Sequence, residues 1–225
     1  MCFDPMTGKR GIAKTREVEG KTQVYMQLKS GESIILQTFT CSLQGEPEWK
    51  YRKEMDYSLS LDHGWKLKFV ESYPAIEGKF EIDMPSSWTE IAHPAAKINR
   101  GTALYSLELD LPELSADDWI LDLGDVRESA RVRINGQEAG VAWAAPFRLS
   151  IGQLLKPGKN LIEVEVTNLP ANSIAEMDRQ GKQWRIFEDI NMAKLNYEKG
   201  TYGHWETLPS GLNGIVRLIP VKYLF

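Results

Sequence analysis

Five carboxylates, Glu176, Asp178, Glu188, Asp189 and Glu206, lie close in the chain to three aromatic residues, Trp184, Tyr202 and Trp205. Aromatic faces stack on the apolar faces of a sugar ring, and carboxylates accept its hydroxyl protons, so these residue types suit a carbohydrate site. Hydrolysis of a glycosidic bond asks for more: two carboxyl groups must face each other across the sugar at a separation set by the mechanism. The same composition also suits a polar loop packed on itself. Candidate sugar contacts in this stretch are Asp178, Trp184, Glu188 and Trp205. Trp88 and Trp143, each in an irregular join between strands, complete the set. For Trp143 the alternatives are contact with a neighbouring domain or packing within its own loop.

Other chemistry finds less to work with. His63, His93 and His204 are far apart, and Cys2 and Cys41 have no partner at ligand spacing, so a zinc site has no support. Calcium takes clustered oxygen ligands, and Asp122 with Asp125, or Asp117 with Asp118, are the residues that would supply them. Solvation of strand ends accounts for the same aspartates. Ser129, Ser150 and Ser210 have no nucleophile-elbow context, and no glycine-rich strand-to-helix turn is present to cradle a phosphate.

The elements that must position these residues read as strands. Trp119, Leu121 and Leu123 alternate, as do Ala130, Val132 and Ile134, and then Ile162, Val164 and Val166. A period of two marks a strand with one buried and one wet face. Asn135-Gly136 predicts a type I′ hairpin turn, and Pro157-Gly158 a second turn. Upstream, Trp65, Leu67 and Phe69 form one strand, and Tyr105, Leu107, Leu109 and Leu111 another that Pro112 ends. Trp119 reads as core. The segment from Gly214 to Tyr223 predicts a last buried strand. Between Asn168 and that strand the periodicity is lost, apart from a short helical turn at Ser173 to Asp178, and so long an irregular connection is often functional. Residues 1–43 read as a small separate unit of three short strands, Ile12 to Val18, Thr22 to Leu28 and Ile34 to Phe39. It is either the end of a preceding domain or an extension packed on the rest.

The run RVRINGQEAG (131–140), then Pro146-Phe147, then LLKPGKNLIEVEVTN (154–168) resembles the sugar-binding β-sandwich of family 2 glycoside hydrolases. With DPMTGKRG (4–11), WRIFEDIN (184–191) and SGLNGIVRLIP (210–220), the chain is more similar to the carboxy-terminal part of rhamnosidase-like enzymes of glycoside hydrolase family 106. The resemblance implies an all-β, jelly-roll-like, galactose-binding-domain-like sandwich over residues 44–225. It also implies a partner, the catalytic domain of the same parent polypeptide, and a substrate among rhamnose- or galactose-containing plant polysaccharides. Sandwiches of this group sometimes carry a structural calcium; no other cofactor is expected. Family enzymes keep their catalytic carboxylates on a separate barrel, and no βα repeat is present here, so no residue inherits a catalytic role. One departure stands out: relatives carry an arginine after Asn where this chain has Ser173, leaving Arg179 or Arg185 as substitutes.

Composition sets outer bounds. The 225 residues are 42% apolar and 26% charged, an ordinary globular balance, with a net charge of -4 that gives no support to nucleic-acid binding. No run of about eighteen apolar residues exists to cross a membrane as a helix. Whether Cys2 and Cys41 pair is open. The first residues lack the apolar core of a signal peptide. That predicts either a cytoplasmic protein or a piece of a longer secreted chain, and the resemblance favours the second, extracellular or periplasmic. The expected function is a non-catalytic accessory module that packs on a catalytic domain and touches sugar. An independent carbohydrate-binding domain and a small self-contained glycosidase are the alternatives.

Overall fold

The computed structural model describes residues 1–113, 115–185 and 201–225. The amino-terminal segment contributes β1 (Cys2–Phe3), β2 (Arg10–Gly11), β3 (Thr15–Val18), β4 (Lys21–Val24) and β5 (Ile35–Leu36). Next come β6 (Tyr51–Glu54), β7 (Leu59–Ser60), β8 (Trp65–Tyr73), β9 (Phe80–Ile82), the short helix α1 (Pro94–Lys97) and β10 (Arg100–Leu111). They are followed by β11 (Asp118–Asp122), β12 (Asp125–Arg127), β13 (Ser129–Ile134), β14 (Gln137–Ala142), β15 (Arg148–Ser150) and β16 (Gly158–Thr167). Helix α2 (Ala171–Arg179), β17 (Gly211–Asn213) and β18 (Arg217–Leu224) complete the set.

Two antiparallel sheets form the body. One runs β14-β13-β16-β10-β8-β9, and the other runs β15-β11-β18-β6, with β7 also pairing to β18. Each alternating run of the sequence delivers its apolar residues to the space between. Ala103, Tyr105 and Leu107 stand opposite Val166, Val164 and Ile162, and these in turn stand opposite Ala130, Val132 and Ile134. From the other sheet come Leu121 and Leu218, both fully buried, and all belong to one core cluster. The result is a jelly-roll-like, galactose-binding-like β-sandwich. Asn135 and Gly136 turn the β13–β14 hairpin with φ of 53° and 78°, as a type I′ turn needs. The Asn135 amide does more: it donates to Leu154 O and to Asn160 Oδ1, both at 2.9 Å.

One buried polar node holds the two ends of the sandwich. The Trp88 indole Nε1–H donates to the Tyr105 hydroxyl at 2.7 Å, and the Leu212 N–H donates to the same oxygen at 3.0 Å. Gly211 lies against it with φ of +90°, and a Cβ there would sit 2.2 Å from Trp88 Nε1 and 2.5 Å from the Tyr105 oxygen. Only glycine satisfies both the left-handed backbone and the close approach.

The amino-terminal segment differs in detail from its sequence pattern. The expected strand at Thr22 to Leu28 is only Lys21–Val24, because the Tyr51 hydroxyl of β6 enters the next pair: Tyr25 N still donates to Lys14 O, but the hydroxyl accepts from Lys14 N and donates to the Tyr25 carbonyl, each at 2.9 Å. Two residues on, the Gln27 side chain clamps the Arg52 backbone, donating to its O and accepting from its N, each at 2.9 Å. The expected strand at Ile34 to Phe39 is reduced to Ile35–Leu36, which pairs with β1. The two cysteines are free, Cys2 buried and Cys41 exposed. Among the described residues no helix is long and apolar enough to cross a membrane.

The Tyr105 node makes a stability prediction. Tyr105→Phe orphans the Trp88 and Leu212 donors, at a cost of about 1–3 kcal/mol each. Gly211→Ala adds the steric conflict and is expected to cost more. Urea denaturation followed by far-UV circular dichroism should show both midpoints lowered, Gly211→Ala the further.

Candidate functional site

Helix α2 positions the residues singled out near the end of the chain. It follows the Pro170 cap and buries Asn172, Ser173 and Ala175. Asn172 grips the returning chain in both directions, donating to Leu208 O and accepting from Leu208 N at 2.8 Å each. Asn168 anchors the helix approach, accepting from Gly101 N at 2.9 Å and donating to Asn99 O at 2.9 Å and to the Ser210 hydroxyl at 3.2 Å. These clamps leave Asp178 and Arg179 facing residues 202–205, with Glu176 beside them bonded to Arg179 and Gln180.

Asp178 and Arg179 organise what lies there. Asp178 accepts from the Trp184 indole at 2.6 Å and, through its other oxygen, from the Tyr202 N–H. Arg179 donates to Gly203 O at 2.8 Å, to Trp205 O at 2.9 Å and to Glu176 at 3.2 Å. The Tyr202 ring consequently lies between Trp184, 5.7 Å away, and Trp205, 4.5 Å away. The Arg185 guanidinium stands 5.0 Å from the Trp184 ring and 5.1 Å from the Tyr202 ring. A cavity of 300 Å³ opens beside the helix, lined by Lys97, Ile98, Asn172, Glu176, Arg179 and Thr207.

The electrostatics bear on chemistry. The Tyr202 backbone N–H, with the Trp184 indole, holds the Asp178 carboxyl below its usual value. A hydrogen bond from Gln180, then Arg179, does the same for Glu176. Two carboxylates both stabilised in the ionised form do not divide into the acid and base that glycoside hydrolysis requires. As i and i+2 on a helix they also face different directions. Their arrangement builds a surface that accepts hydrogen bonds, flanked by tilted aromatic rings.

The candidates from sequence are thus separated. Asp178, Trp184 and Trp205 meet in this group, and Trp205 is 39% exposed. Glu188 lies outside the described residues. Trp143, 58% exposed, is in the β14–β15 connection, outside the group. Trp88 must be corrected: it is fully buried, with its one polar atom bonded to Tyr105, and no sugar can reach it. The loop character of its sequence context concealed a core residue. The aspartates named for calcium are turned to other partners. Asp122 pairs with Arg148 at 2.6 Å, Asp125 with Arg127 at 2.8 Å and Asp117 with Lys222 at 3.3 Å, while Asp118 accepts from Gly152 N at 2.9 Å. Among the described residues no three His, Cys, Asp or Glu side chains converge. Arg179, named from the sequence only as a substitute for the arginine of the resembled enzymes, clamps two backbone carbonyls that no spacing along the chain announced.

Comparison with known proteins places this geometry. No family model matches the chain. A provisionally named beta-glucuronidase of Formosa agariphila is 30% identical over 185 residues, which is 74% of this chain and 16% of that protein. A rhamnosidase from Novosphingobium sp. PP1Y superposes with a TM-score of 0.70 and 26% identity, over 97% of this chain and 20% of its own. The fold recurs in a β-D-glucuronidase of Dictyoglomus thermophilum, with a TM-score of 0.52 at 17% identity over 75% of this chain and 29% of that one. The chain is an all-β domain related in fold, and by weak sequence similarity, to a fraction of much larger glycoside hydrolases.

Asp178 predicts an acid-sensitive group. Because its folded pKa lies below the unfolded value of about 3.9, its contribution to stability is present above that pH and is lost as pH falls through the folded value. The fluorescence difference between the wild-type protein and Trp184→Phe should change as pH is lowered through that window. In an Asp178→Asn background, which has no charge to titrate at this position, the change should be absent.

Proposed function

We propose that this chain is a non-catalytic accessory β-sandwich module of a multidomain glycoside hydrolase of the family 106, rhamnosidase-like kind. In this reading it packs on the catalytic domain of its parent polypeptide and shapes the approach of a plant-type polysaccharide, outside the cell or in the periplasm. Residues 1–43 are the end of a preceding β domain, and residues 44–225 are the sandwich. The observation that carries the reading is the rhamnosidase superposition, which takes in 97% of this chain but 20% of the larger enzyme. Surface composition supports it. Leu28, Ile35, Leu36 and Phe39 are 53%, 57%, 46% and 42% exposed, an apolar group on the amino-terminal segment of the kind that marks contact with another domain.

The test is reconstitution. The remainder of the parent polypeptide, expressed separately, should co-elute with this chain on size-exclusion chromatography and should alone carry activity toward an aryl α-L-rhamnoside. Hydrolysis by the 225-residue chain itself, or a natural reading frame without a catalytic domain, would overturn the proposal.

A second reading, an independent carbohydrate-binding domain, draws on the exposure of Trp143 and on the Trp184–Tyr202–Trp205 group. It predicts retardation in native gels containing rhamnogalacturonan or a related plant polysaccharide. That retardation should be lost in Trp143→Ala or Trp184→Ala with folding intact.

A further inference from the structure

A second concavity, of 660 Å³, lies where the amino-terminal segment meets β6, β11 and β15, and its size falls in the range of about 300–1,000 Å³ typical of ligand clefts. Its walls combine an aromatic and apolar side, including Trp49, Met26 and Ile34, with the hydroxyl-bearing residues Thr7 and Ser150. Charged residues of both signs line it, and most are engaged. Glu54 is paired with Lys29 and with Arg148, the latter at 3.0 Å, and Arg148 also holds Asp122. Asp4 accepts from Thr7 Oγ1 at 2.6 Å and Met6 N at 2.8 Å, and Glu32 accepts from Lys29 N at 2.8 Å. The Lys50 ammonium stands 4.7 Å from the Tyr223 ring. Asp118, next to the cleft, accepts from the Ser150 hydroxyl and from the N–H groups of Trp119 and Gly152.

Three cations remain. Arg52 makes no side-chain hydrogen bond, and its one ion pair, with Asp118, is 3.9 Å long. Lys9 and Lys53 have neither hydrogen bond nor ion pair at their ammonium groups. Desolvation by the surrounding protein, then the charge of Arg52, holds the Lys9 ammonium below its usual pKa, while Asp118 and Asp4 act in the opposite direction. Lys9 and Arg52 repel each other and, with Lys53, bring donors without hydrogen-bond partners to one walled cleft, which forms a receptor for an anion.

We infer that this cleft binds a sugar carrying a carboxylate, with Lys9 and Arg52 on the carboxylate and the Trp49 side of the cleft against the ring. The carboxylate follows from the cluster of cations without hydrogen-bond partners, and the ring from the mixed apolar and hydroxyl-bearing walls. The choice of a sugar acid among carboxylates rests on the accessory-module reading; the anion site does not.

Isothermal titration of the 225-residue protein with digalacturonate, its dimethyl ester and sodium acetate tests the inference. The acid should bind at least tenfold more tightly than the ester, which has the same rings without the charge, and also more tightly than acetate. Lys9→Gln and Arg52→Gln should each weaken binding by about tenfold or more, with circular dichroism unchanged. Equal affinity for acid and ester, no binding of the acid, or insensitivity to Lys9→Gln would each overturn it. Acetate binding as tightly as digalacturonate would overturn the sugar assignment and leave a plain anion site. Failure here alongside co-elution with the catalytic portion would remove the cleft and leave the module reading standing.

Discussion

The buried hydroxyl of Tyr105 is the constraint on which the rest of the sandwich depends. It lies in the middle of β10, the strand that pairs with both β16 and β8, and it accepts hydrogen bonds from two chain segments more than a hundred residues apart. Burial pushes its phenol far up, so at any ordinary pH it is a neutral partner for the two N–H groups. An apolar residue could fill the volume but could not satisfy those donors, and a buried orphan costs more than a made bond returns. The requirement propagates outward. It sets the Trp88 turn against β17, dictates glycine at position 211, and carries the chain from the α2 region back into the core. A second polar layer, through Asn168, Asn172, Ser87 and Ser210, extends the same node toward the helix.

What this rigid body presents is determined at its margins. Helix α2 is held by side-chain amides that bond to backbone, which fixes its rotation and so the direction of Asp178 and Arg179. Those two then hold the 202–205 segment through its main chain, and the Trp184, Tyr202 and Trp205 rings follow. The carboxylates here act as structural acceptors, and the aromatic rings are their display. On the far side, Arg148 links Asp122 of β11 to Glu54 of β6, and Glu54 reaches Lys29 of the amino-terminal segment. These pairs engage Glu54, while Asp4 and Glu32 take backbone and hydroxyl donors, and Lys9, Lys53 and Arg52 are left without a side-chain hydrogen bond.

The amino-terminal segment has a different character from the sandwich. All eight residues of the β3–β4 hairpin are exposed, and its apolar side chains look outward rather than into a core of its own. It is tied to β6 through Tyr51 and Gln27 and to the chain end through Tyr25 and Phe225, whose rings are 6.0 Å apart. Short strands that bury little need a neighbour. The sandwich supplies one face of that neighbour, and the exposed Ile35 and Leu36 mark another.

The sequence by itself determined the sandwich. Trp119 with Leu121 and Leu123, Ala130 with Val132 and Ile134, and Ile162 with Val164 and Val166 name their buried faces because side chains on a strand alternate with a period of two, a local property. Asn135-Gly136 specifies its turn for an equally local reason, a pair of positive φ angles. The tertiary structure alone decided which polar residues meet. Trp88 reads as a loop tryptophan until Tyr105 and Leu212 close on its indole. Asp178 and Glu176 read as two of five carboxylates in an irregular stretch until Tyr202, Trp184, Gln180 and Arg179 meet them and favour the ionised form of both. Lys9 and Arg52 are 43 positions apart with no shared motif, and only the pairing of β1, β5 and β6 with their neighbours brings them to one cleft. Polar contacts of this kind depend on distance in space, which no spacing along the chain encodes.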